Sequence, residues 1–109
     1  MDKISLRTAT REHLASAHDS SAGRSSVTVL GGAHQHLRQT LIALTAGQSL
    51  AEHDSPGEAS LIVLTGHVRL ATDTTAVEGT SGDFIVVPDE RHSLEALEDS
   101  AVVLTVSKP

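Results

Sequence analysis

Seven histidines and fourteen carboxylates, with no cysteine, define the chemistry open to this chain. Imidazole and carboxylate are the ordinary protein ligands of zinc, iron, nickel and manganese, and a stable site generally uses at least three of them. Without Cys there are no disulfides, thiolate nucleophiles or Cys-ligated zinc. In His34-Gln35-His36 the alternate spacing puts both imidazoles on one face of any extended strand, a ligand geometry that is also common in solvated loops. Glu90-Arg91-His92 sets a carboxylate and a guanidinium beside an imidazole they can orient through a hydrogen bond, although such charged loops are often merely solvated. His13, His18 and His67 have no partner in the pattern and are expected at the surface. No Ser-His-Asp signature, phosphate loop or Walker-type glycine pattern is present, which speaks against hydrolase and nucleotide-binding chemistry.

Short strands must position these groups. From Ser26 onward, β-branched runs are punctuated by turn residues, the signature of a sandwich or barrel. Strands are expected over 26 to 30, 37 to 45, 61 to 66, 67 to 71, 77 to 80, 82 to 88 and 101 to 106, with Gly66 as a bend within the sheet. Residues 101 to 104 are all apolar, as in a strand covered on both faces. The acidic run from Glu95 to Asp99 reads as a turn and is assigned no chemistry. Residues 1 to 25 differ: the Ala-rich stretch from Thr8 to His18 predicts a short helix with Thr10 as N-cap and Gly23 as stop. Its apolar face is Leu14, Ala17 and His18, and it packs over the barrel or against a partner subunit. Residues 26 to 109 form the barrel domain.

Composition narrows the partners. Eight basic and fourteen acidic residues give a net charge of −6, and Phe84 is the sole aromatic. Nucleic acid is not expected, because its binding rests on Lys and Arg and on aromatic stacking. No apolar stretch is long enough for a signal peptide or a membrane span, so no membrane partner is expected and the cytoplasm is the default location.

Two stretches carry a resemblance. Residues 47 to 66 run from Gly47 through His53-Asp54-Ser55, Pro56-Gly57 and Glu58 to Gly66, and Gly82-Asp83-Phe84-Ile85-Val86-Val87-Pro88-Asp89-Glu90-Arg91-His92 follows. They resemble the first and second motifs of the cupin superfamily, in the right order and over about residues 37 to 106. The physical roles of the turn residues stand beside the name: Pro56-Gly57 fits the centre of a type II turn, and Pro88 ends a strand whose ladder it cannot join. The resemblance implies an all-β fold, a small antiparallel jelly-roll β-barrel with a short N-terminal helix, often a homodimer; the strand from 26 to 30 is a candidate edge for pairing.

It also implies a divalent metal, Fe, Mn, Ni or Zn, held by His-x-His and Glu from the first motif and His from the second. Matched position by position, the ligands are His53 and His92, the latter one place early. The second His falls on Ser55 and the Glu on Ala59, with Glu58 immediately before it. In a strand Glu58 and Ala59 face opposite sides, so Glu58 contributes only if the turn rotates it inward; His34 or His36 is the other source of a third ligand. Two functions follow from this set. One is a metal-binding cupin acting on or sensing a small molecule through His53, His92 and Glu58. The alternative is a metal-free ligand-binding or structural barrel with a degenerate site.

Overall fold

The computed structural model describes residues 1–53 and 57–107, with the backbone alone at Glu52 and His53. Among the described residues, one helix precedes nine strands. Helix α1 (Leu6–Asp19) is followed by β1 (Arg24–Leu30), β2 (Leu37–Leu44), β3 (Ser49–His53), β4 (Ala59–Thr65) and β5 (His67–Ala71). Then come β6 (Ala76–Thr80), β7 (Phe84–Val87), β8 (His92–Ala96) and β9 (Ser100–Ser107). The strands form two antiparallel sheets, of order β1-β2-β9-β4-β7 and β3-β8-β5-β6, that face each other without closing.

Period-two alternation builds the core between them. Ile42, Leu44, Leu61, Val63, Ile85, Val87 and Val102 from the larger sheet meet Val68, Leu70, Leu94 and Ala96 from the smaller. The larger sheet has a second buried face. Leu41, Ala43, Ala101 and Val103 alternate with the core residues and are themselves buried, because α1 packs across β1, β2 and β9. The expected two-sided burial of residues 101 to 104 is thus explained by the helix, which lies over the sheet. The helix does not reach the far side, where Ile62, Phe84 and Val86 of β4 and β7 stay exposed.

Four expectations need correction. The helix N-cap is Ser5, whose hydroxyl accepts from Thr8 N–H, and Thr10 lies within the helix. Its buried residues are Ala9 and Ala17, two turns apart, while His18 is exposed. Residues 95 and 96 are strand: β8 alternates buried His92, Leu94 and Ala96 with exposed Glu95, and the turn is confined to 97–99. Finally, Gly66 does more than bend a strand, since it carries the chain from β4 in one sheet to β5 in the other.

That crossing is tightly built. Gly66 has φ of +96°, and a Cβ there would collide with the Ser100 hydroxyl and the Asp99 carbonyl. The buried Ser100 hydroxyl accepts from His67 N–H at 3.0 Å and donates to the Glu98 carbonyl at 2.7 Å. Asp99 beside it ties three segments together, accepting from Ala46 N–H at 2.8 Å and meeting His18 Nε2 at 2.7 Å. These bonds, the Ala46 amide foremost and His18 next, hold the Asp99 carboxyl below its ordinary value of 3.8.

Gly66→Ala should therefore lower stability by about 2–4 kcal/mol, adding overpacking to left-handed strain. At Gly82, also left-handed at φ +89° but with open space around it, Gly→Ala should cost about 1–2 kcal/mol. Denaturant melts of both variants check this; equal losses would show slack at the crossing. For Asp99 the native state releases its proton at lower pH than the unfolded chain, so the unfolded state binds more protons in the intervening range. Its contribution is fully present above about pH 3.8 and is lost as pH falls through the lowered native value. The stability gap between the protein and its Asp99→Ala variant should shrink below that pH and stay level above it, as measured by denaturant melts from pH 3 to 7.

Candidate functional site

The backbones of two of the sequence-derived ligand positions, 53 and 92, pair where β3 runs beside β8. Neither strand is rich in β-branched residues; Ser-Leu-Ala-Glu-His and His-Ser-Leu-Glu-Ala become strands because alternate positions, Leu50 on one and Leu94 and Ala96 on the other, reach the inter-sheet core. Their register pairs Ser49 with Glu95, Leu50 with Leu94 and His53 with His92, with an irregularity between Leu50 and His53. The backbone thus sets the two motif histidines opposite each other, although they are 39 residues apart in sequence (92 − 53).

His92 is buried, at 4% exposure. Its Nδ1 lies 2.8 Å from the Glu90 backbone carbonyl. A carbonyl can only accept, so Nδ1 donates its hydrogen to it. A metal-binding imidazole is commonly held by such a bond on its other nitrogen. The orienting role expected of residue 90 is therefore filled by its main chain.

The other expected groups lie apart. Glu58 is exposed at the start of β4, and its backbone carbonyl accepts from Ser107 N–H at 3.0 Å. It lines two open clefts, one of about 400 Å³ with Ala59, Val86, Val87 and Asp89 and another with Leu37 and Ser60. His34 and His36 are exposed in the β1–β2 connection. Ser55 and Pro56 lie outside the described residues, as does the His53 side chain. Among the described residues, no three of His, Asp and Glu gather closely enough to hold a metal. His13, His18 and His67 each make a specific contact: with Ser25 Oγ at 2.7 Å, with Asp99, and with Glu78 at 2.6 Å.

One feature of the site escaped sequence reasoning. A cavity of about 370 Å³ opens between the inner face of β1 and β2 and strand β3, lined by Arg24, Ser25, Ser26, Thr40, Ile42 and Leu50. Leu50 lies opposite Leu94, two residues along β8 from His92, so the cavity borders the end of the smaller sheet that carries His92. The signal was present in the alternation of Arg24, Ser26 and Thr28 with Ser25, Val27 and Val29. It was missed because the strand was taken to begin at Ser26, two residues late.

No protein-family model matches the chain, and no curated protein matches it. Solved structures do. A conserved protein of unknown function from Streptococcus pyogenes is 31% identical over 83% of this chain and 78% of its own, with a TM-score of 0.73. A cupin superfamily protein from Desulfitobacterium hafniense is 15% identical over 79% of this chain and 78% of its own, with a TM-score of 0.71. A variant of salicylate 1,2-dioxygenase from Pseudoaminobacter salicylatoxidans matches 93% of this chain with 33% of its own length, at 20% identity and a TM-score of 0.75.

Proposed function

We propose that this chain, which has the fold of small cupin superfamily proteins, binds a divalent metal through His53 and His92 and acts on or senses a small molecule beside it. The observation that supports the reading is the β3–β8 register, which pairs the backbone of His53 with that of the buried His92. Two imidazoles would leave a divalent ion most of its positions for a further side chain, water or a small ligand. When bound, the ion would supply a Lewis acid or oxygen-activating centre. The protein's own part is to fix the His92 ring through the Glu90 carbonyl and to surround it with the aliphatic side chains of the core. That one structural neighbour is a dioxygenase of salicylate supports small-molecule chemistry on this fold.

A metal-free ligand-binding barrel is the second reading. It is favoured by Ala59 at the position where the resemblance calls for Glu, and by the exposure of Glu58. Elemental analysis of untagged protein, purified without a chelating column, separates the two. Near-stoichiometric metal that disappears in the His53→Ala, His92→Ala double variant is the expected result. Protein that is metal-free and also fails to take up added divalent ions would leave the second reading.

The homodimer belongs to the same proposal, and the exposed Ile62, Phe84 and Val86 offer it an apolar face that a two-fold axis can bury against itself. Light scattering should give twice the chain mass for the protein and a shift toward the monomer for Phe84→Ser. A monomeric parent protein would remove the dimer from the proposal.

A further inference from the structure

Strand β1 carries an exposed polar face at the open edge of the gap between the two otherwise aliphatic sheets. Arg24 pairs with Leu44 and Ser26 with Ile42, and both partners belong to the inter-sheet core, so Arg24 and Ser26 stand on the inner face of the sheet. With Thr40 they line the cavity of about 370 Å³ whose apolar wall is Ile42 and Leu50. Among the described residues no carboxylate pairs with Arg24, although acidic residues outnumber basic ones fourteen to eight in the chain. The Ser25 hydroxyl is engaged by His13, which leaves Ser26 and Thr40 as the hydroxyls of the lining.

We propose that this cavity binds a small aliphatic monocarboxylate, its carboxylate on the Arg24 guanidinium with the Ser26 and Thr40 hydroxyls, and its chain against Ile42 and Leu50. A guanidinium matches a carboxylate with two parallel N–H bonds, and hydroxyls add donors to the same oxygens. One cation and two hydroxyls suit a single negative charge better than a phosphate dianion. The wall carries no aromatic residue, so the body of the ligand packs by aliphatic contact and not by stacking. The volume is at the small end of ligand pockets. This rests on reading the barrel as a small-molecule site, but it requires no metal.

The test is a titration of chelator-treated protein with hexanoate, followed by the amide resonances of Ser26, Thr40 and Leu50, with hexanamide and inorganic phosphate as comparison probes. Saturable shifts with a dissociation constant of about 1 mM are expected. Hexanamide and phosphate should bind at least about tenfold more weakly, Arg24→Gln should weaken hexanoate about tenfold or more, and Arg24→Lys should retain part of the affinity. Arg24 is exposed, so these variants leave the core intact. Absence of saturable shifts at the three residues, equal binding of the amide, or binding indifferent to Arg24→Gln would overturn the proposal. Because the protein is stripped of metal, Arg24-dependent binding stands even where elemental analysis finds no ion, and bound metal without hexanoate binding sinks only this inference.

Discussion

Burial of β2 and β9 on both faces is the constraint on which the rest of the structure depends. Leu41 to Leu44 are buried without a break, as are Ser100 to Val103. Such strands are stable only between two apolar layers, and a 109-residue chain can provide the second layer only by laying its single helix across the sheet. With α1 on one side, the smaller sheet must take the other. Residues 59 to 71 show how: β4 extends the two-faced sheet, Gly66 turns the chain without a side chain to accommodate, and β5 begins the covering layer.

The same arrangement explains where polar groups enter the interior. The helix covers the outer face of β1, so Val27 and Val29 turn toward it and Arg24, Ser26 and Thr28 turn inward. The smaller sheet starts at β3 and does not close against β1. The inner face at that end is therefore left to solvent or to a ligand, and the cavity beside Leu50 is the result. A closed barrel would have required apolar residues at these three positions.

Much of this was legible in the sequence. The runs around Leu61, Val68, Ile85 and Val102 showed their strands through β-branched composition and period-two alternation. Strands β3 and β8 did not, because Ser49-Leu50-Ala51-Glu52-His53 and His92-Ser93-Leu94-Glu95-Ala96 are built of residues with weak strand preference, and pairing across the core decides their state. Motif spacing singled out His53 and His92 but said nothing of their distance; only the β3–β8 register does. The contact of His18 with Asp99, 81 residues apart, was invisible for the same reason, since no local pattern records a pairing created by the way α1 crosses the sheet.

The site's chemistry follows from what each position can still provide. Ala59, where the motif resemblance calls for a carboxylate, offers only a methyl group, and Glu58 is spent on the rim. With Ala59 at that position, a divalent ion held by two imidazoles alone would keep its full positive charge, to be balanced by whatever binds beside it. A bound anion would answer that need, and the exposed Arg24 that lines the cavity would supply a second cation. A methyl group where the motif resemblance calls for a carboxylate, and a guanidinium with no carboxylate partner among the described residues, would act in one direction, toward binding of anions in a chain whose overall charge is negative.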